Sequence, residues 1–150
     1  MLVACAVTCV ACTAPATQSD WAQHGLNAAE TRFSPLTAIT PETVSRLGPV
    51  WFADLSATSN RAFEATPIVV DGRLYVSTGW SVALAYDARS GRELWRYDPE
   101  VPKAIAGKGC CGPVSRGLAV ADGKVFLASF DGRLIALAAD SGKPLWSVHF

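Results

Sequence analysis

From Thr66 onward the chain alternates short apolar runs with polar turn dipeptides. Pro67-Ile68-Val69-Val70 meets Asp71-Gly72, and Leu74-Tyr75-Val76-Ser77-Thr78 follows. Asp-Gly between β-forming runs predicts a tight hairpin. Val82-Ala83-Leu84-Ala85-Tyr86 comes next, then a turn at Ser90-Gly91, then Glu93-Leu94-Trp95-Arg96-Tyr97. The succession returns downstream. Leu118-Ala119-Val120 precedes Asp122-Gly123, and Val125 to Ala128, Leu134 to Leu137, Ser141-Gly142 and Leu145-Trp146 follow. Laid without gaps at an offset of 51 residues, Asp71–Trp95 and Asp122–Trp146 are identical at 8 of 25 positions. Those eight include Asp-Gly, Ser-Gly and Leu-Trp. Pro49-Val50-Trp51-Phe52 resembles an earlier copy of the closing strand.

A repeat of about fifty residues built from short strands predicts propeller blades. The expected fold is all-β, the N-terminal part of a β-propeller and incomplete in this chain. A blade cannot cover its own faces, so Trp51, Trp95 and Trp146 are expected to lock neighbouring blades together. Two repeats cannot close a ring, which takes about four to eight blades. The chain is therefore expected to be the front of a longer protein, with blade faces left exposed.

Before the strands, Asp20 to Ser34 is polar and interrupted by Gly25, and reads as an N-terminal arm. Thr40-Pro41-Glu42 predicts a helix start, with Thr as cap, Pro at the first position and an acid in the first turn. Val44 and Leu47 would share one face of a two-turn helix that Gly48-Pro49 ends.

Composition narrows the function classes. Lys and Arg total 13, Asp and Glu total 13, and the net charge is zero. With no basic stripe, nucleic-acid binding is not expected. No apolar run is long enough to span a membrane. Met1 to Cys12 is apolar and small, and Ala14-Pro15-Ala16 fits a secretory cleavage pattern, although a basic n-region is missing. Residues 1–16 are thus expected to be a signal-like segment, with 20–150 forming the arm and first blades. Export to the periplasm would remove Cys5, Cys9 and Cys12 and leave two of the five cysteines in an oxidising compartment.

Those two are neighbours, Cys110 and Cys111, within Gly-Lys-Gly-Cys-Cys-Gly-Pro-Val-Ser-Arg-Gly. Consecutive Cα atoms lie about 3.8 Å apart, closer than the 4.4–6.8 Å of an ordinary disulfide. A bond between them would close a strained and labile ring. The Gly-rich flanks and Pro113 place the pair in a turn, where such a ring can form. Two thiols in a loop are the other reading of the same residues.

Other motifs carry little. His24 and His149 lack metal-ligand spacing. Ser141-Gly142-Lys143 lacks the upstream Gly of a phosphate loop. Asp71, Asp122 and Asp131, each followed by Gly, read as turns, and neither Asp87 nor Asp98 is assigned as a catalytic base.

Taken together, the arm Asp20-Trp21-Ala22-Gln23-His24-Gly25, the segment Thr31 to Leu36, Glu64-Ala65-Thr66-Pro67-Ile68-Val69-Val70-Asp71-Gly72, the cysteine segment to Gly117 and the Leu-Trp closures resemble the quinoprotein alcohol dehydrogenases. These are propellers of about eight blades that use pyrroloquinoline quinone. The resemblance implies a Cys110–Cys111 disulfide packed flat against one face of the cofactor. It implies that Arg116 meets the cofactor's polar edge, that Glu64 hydrogen-bonds it and that Val114 lines the site. A guanidinium fork suits the quinone's carboxylates. Where Ser115 stands, the family commonly carries Asn. Gly79-Trp80-Ser81-Val82 looks more like the broad-substrate enzymes than the methanol enzymes.

The implied activity is oxidation of a small alcohol to an aldehyde, assisted by calcium as Lewis acid. Electrons would pass to a cytochrome c, and a further domain could carry haem c. The catalytic base and calcium ligands are expected in the remaining blades, so this chain by itself is expected to be inactive. A non-catalytic scaffold of the outer-membrane assembly type, or an inactive gene fragment, is the alternative. A scaffold would not need the paired cysteines with Glu64 and Arg116.

Overall fold

The computed structural model describes residues 20–55, 63–109 and 111–150. The signal-like segment, its three cysteines and Cys110 lie outside the described residues. Among the described residues eight strands form two antiparallel four-stranded sheets, each with its strands in sequence order. The first blade holds β1 (Ile68–Val70), β2 (Arg73–Ser77), β3 (Ala83–Asp87) and β4 (Glu93–Tyr97). The second holds β5 (Ala119–Ala121), β6 (Lys124–Ala128), β7 (Arg133–Ala138) and β8 (Pro144–His149). The chain is a partial β-propeller, as its repeat predicts.

The repeat holds down to backbone detail. Asp71 and Gly72 have φ of 50° and 71°, and Asp122 and Gly123 have 48° and 69°. Both central residues of each turn are left-handed, the conformation whose twist matches a two-residue hairpin. Each blade also carries a β-bulge at the matching place, Ala85/Tyr86 and Ala136/Leu137.

Alternation along the strands sorts the core. Tyr75, Ala83, Ala85 and Trp95 of the first blade pack with Val125, Leu127, Ile135, Leu137 and Ala139 of the second. The other face of the first blade, Val76, Val82, Leu84 and Tyr86, is covered by Trp51, Leu55, Ala65 and Leu74.

The tryptophans lock blades as expected. The Trp95 indole N–H donates to the Ala139 carbonyl at 2.9 Å, and that of Trp51 to the Ala88 carbonyl at 3.0 Å. Each ring lies on a glycine: a Cβ on Gly142 would stand 2.6 Å from Trp95, and one on Gly91 2.5 Å from Trp51. The third copy, Trp146, contacts Phe126 at 6.0 Å but stays 41% exposed. Leu145, Val148 and Phe150 on one flank, and Val50 and Phe52 on the other, are exposed as well. These are uncovered blade surfaces and a strand edge, the features that favour association.

Two expectations change. The arm is more than a leader to the blades, because Trp21 and Val69 exchange both backbone hydrogen bonds, at 2.8 and 3.0 Å, extending the first sheet beyond β1. The predicted two-turn helix is a turn followed by a three-residue 3-10 helix, Val44–Arg46. Its hydroxyls are engaged elsewhere: Thr40 Oγ1 donates to the Glu42 carboxylate at 2.7 Å, and Thr43 Oγ1 to the Ala38 carbonyl at 2.9 Å. Such local bonds compete with helix formation. Val44 and Leu47 remain exposed, so no packing offsets the cost of nucleating so short a helix.

Candidate functional site

The two blades begin at equivalent places, and the candidate polar residues sit there. Glu64 precedes β1 by four positions and Arg116 precedes β5 by three. β1 and β5 approach each other, as the inner strands around a propeller channel do. This brings an Arg116 Nη2 to within 3.4 Å of a Glu64 carboxylate oxygen across 52 positions of sequence. The Arg116 side chain is 80% exposed and that of Glu64 39%. In so open a position the pair adds little to stability. What it does is hold a cation at the mouth of the inter-blade junction with most of its donors open.

Arg116 and Val114 line an open concavity of about 600 Å³, with Leu118, Phe126 and Phe130 on its apolar wall. His24 stands at its edge, held by the Glu30 carboxylate at 3.1 Å. Glu64 and Cys111 are not among its lining residues.

The segment carrying the cysteines is fixed at several points. It follows a 3-10 helix, Lys103–Lys108. Cys111 is exposed, and Gly112 turns the chain with φ of 80°. The Pro113 carbonyl accepts the Trp80 backbone N–H at 2.8 Å. Val114 N–H closes a tight turn on the Gly112 carbonyl at 2.8 Å. Ser115, where the family commonly has Asn, is buried and donates its hydroxyl to Ser77 Oγ of β2 at 2.8 Å. The shorter side chain thus has its own partner inside the first blade. Cys110 lies outside the described residues, and with it the expected pairing of the two cysteines.

Sequence reasoning missed Ser77, Trp80, Ser81 and Phe130 as anchors of this segment. Trp80 and Ser81 have φ of 61° and 62°, a conformation that side-chain-bearing residues seldom adopt, so no residue rule pointed there. The acids left unassigned have structural roles. Asp87 accepts both the backbone N–H and the hydroxyl of Ser90 at 2.7 Å, which lowers its pKa. Asp98 accepts Glu100 N–H at 2.8 Å. Burial opposes ionisation of Asp131, but the hydrogen bonds from Arg133 and Ser129 outweigh it and hold the carboxyl below its usual value. Among the described residues no cluster of three His, Cys, Asp or Glu could hold a metal ion. No described helix is long and apolar enough to cross a membrane.

Two sheets of a bladed wheel, with Arg116 and a cysteine turn near the junction of their inner strands, define the class as a β-propeller. The chain belongs to the PQQ family described as glucose/ethanol/alcohol dehydrogenase, beta-propeller domain, which it matches over residues 21–147. It is 52% identical over 134 residues to a 1-butanol dehydrogenase (cytochrome c) of Thauera butanivorans, covering 89% of this chain and 19% of that protein. The crystal structure of quinohemoprotein alcohol dehydrogenase from Comamonas testosteroni superposes with a TM-score of 0.82 at 47% identity, over 87% of this chain and 19% of that one. A europium-containing methanol dehydrogenase gives a TM-score of 0.79 at 35% identity, over 89% and 23%. The chain spans about a fifth of the length of these relatives.

Proposed function

We propose that this chain forms the arm and first two blades of an exported quinone-dependent alcohol dehydrogenase and contributes one wall of its cofactor site. The supporting observation is the meeting of Glu64 and Arg116 at the two blade starts, beside the cysteine turn and an apolar concavity. These residues suit pyrroloquinoline quinone. The guanidinium is tied by one carboxylate and keeps donors for the quinone's own carboxylates. Val114, with Leu118 and Phe126 beside it, suits a flat ring system. Cys110 and Cys111, joined as a disulfide, would underlie that ring.

Held by Arg116, Glu64 and Val114, pyrroloquinoline quinone would supply hydride-accepting chemistry for alcohol oxidation, and calcium held by other blades would supply Lewis-acid assistance. Arg116 fixes the cofactor's carboxylate edge and so its rotation in the site. Glu64 holds the guanidinium and offers a second acceptor toward the cofactor. Val114 excludes water from one side. The proton-accepting base and the calcium ligands belong to the other blades. A cytochrome c is the proposed electron acceptor, consistent with the name of the Thauera relative. A haem c domain elsewhere in the protein is compatible with the name of the Comamonas relative.

The test is a quinone titration of the whole propeller and its Arg116→Ala variant. Loss of a charged hydrogen bond costs about 1.5–3 kcal/mol, so the dissociation constant rises by about 10- to 150-fold. An unchanged titration rejects the role of Arg116.

A further inference from the structure

The loop between β2 and β3 of the first blade meets the turn between β6 and β7 of the second, directly behind the cysteine turn. The meeting is built from two rings. Trp80 and Phe130 pack edge to face, with centroids 6.4 Å apart and planes at 74°. The Lys103 ammonium covers the Trp80 ring, 3.8 Å from its centroid. A partly buried hydrogen bond joins the two loops, from Phe130 N–H to Ser81 Oγ at 2.9 Å. The Trp80 backbone and the Phe130 ring each touch the cysteine segment, and the Trp80 ring bears on it through Phe130. Trp80 holds Pro113 through its backbone N–H, while a Cβ on Gly109 would stand 2.7 Å from the tip of Phe130. The segment is thus gripped just before and just after its cysteines. Two successive left-handed residues, Trp80 and Ser81, cost free energy and persist only where the surroundings impose them.

We propose that Trp80 and Phe130 are positioning residues that set the height of the cysteine turn relative to Arg116, and so couple the packing of one blade on the next to quinone affinity. This rests on the cofactor site proposed above. Trp80 reaches Pro113 and Phe130 abuts Gly109, so a change in blade docking moves the turn rather than only loosening it. Neither ring is asked to touch the reacting atoms.

Gly109 supplies the decisive test. Its φ of −99° and ψ of 146° suit any residue, so alanine there acts only through the space that Phe130 fills. In the whole propeller, quinone affinity is measured for Gly109→Ala, for Gly109→Ala with Phe130→Leu, for Trp80→Gly and for Trp80→Phe, with the melting temperature of each quinone-free protein. Glycine at 80 keeps the N–H and tolerates the left-handed backbone while deleting the ring. The expected result is about tenfold weaker binding for Gly109→Ala and Trp80→Gly, since small displacements of positioned groups carry costs of this order or more. Phe130→Leu in the Gly109→Ala background and Trp80→Phe alone should recover most of it, with melting little changed. Wild-type affinity in Gly109→Ala and Trp80→Gly, with Arg116→Ala weakened, overturns the inference and leaves the site intact. Losses that follow the melting temperature, without recovery by Phe130→Leu, reduce the rings to ordinary packing and overturn it too. Should Trp80→Gly fail to fold, the Gly109 and Phe130 pair decides alone. An unaltered Arg116→Ala removes the cofactor site itself, and the inference with it.

Discussion

Replacing Trp95 by alanine tests whether the tryptophan repeat holds one blade on the next. The ring is only 7% exposed and sits among Tyr75, Leu137 and Ala139 at the inter-blade core. A Trp of this kind buries about 150–250 Å² of largely apolar surface, worth about 4–6 kcal/mol at 25 cal/mol per Å². That is an upper bound, because a real unfolded chain already hides part of this area. The lost indole hydrogen bond adds about 1 kcal/mol. The Ala139 carbonyl is not left bare, because the Tyr75 hydroxyl also reaches it at 3.2 Å. The expected loss is therefore about 4–5 kcal/mol, in line with large-to-small changes at aromatic core positions. Trp146 is the internal control. Its ring is 41% exposed, and the same substitution there should cost well under half as much in this chain. Urea denaturation followed by far-UV circular dichroism measures both. Equal losses at the two positions, or a Trp95 loss below about 2 kcal/mol, would refute the idea that burial between blades sets the worth of each tryptophan.

The remaining predictions concern two glycine turns, the Asp131 carboxylate and the cysteines. Gly142→Ala meets Trp95 at 2.6 Å with a φ of +67°, so it should lower stability by at least about 1–2 kcal/mol, the cost of a left-handed alanine alone. Gly123, with φ of +69° but open space around it, should lose only that backbone cost in the same denaturation assay. Asp131 has a lowered pKa, so the unfolded chain binds more protons than the folded one as the pH falls through the carboxylate range. Its contribution is present above the unfolded value and lost on acidification. Melting curves of Asp131→Asn and wild type should differ at pH 7 and draw together as the pH falls below the ordinary aspartate range, whereas a gap that widens in acid contradicts the assignment. Mass spectrometry of the whole protein produced in an oxidising compartment should find the Cys110–Cys111 peptide two hydrogens lighter than its reduced form, reversibly under mild reductant; two intact thiols would count against the proposed disulfide.

Much of the fold was legible in the chain because it rests on local rules applied twice. Asp-Gly needs a left-handed pair, alternating residues need two faces, and a fifty-residue echo needs neighbouring units to stack. Those rules yielded the strands, the turns, the blade repeat and the use of Trp51 and Trp95 as locks. Glu64, Val114 and Arg116 were legible only as matches to a family pattern. No local rule places an acid next to a base 52 positions away, and that contact exists because β1 and β5 converge. The helix at Thr40 failed because capping residues mark a start without ensuring a packed face behind it. Trp80 and Ser81 stayed hidden for a deeper reason. Their left-handed backbone contradicts intrinsic preference and is imposed by Pro113, Phe130 and Lys103, which come together only once two blades have docked. Periodicity and turn chemistry act over a few residues and can be read along the string. Strain and ion pairing across blades depend on distances that only the folded chain creates.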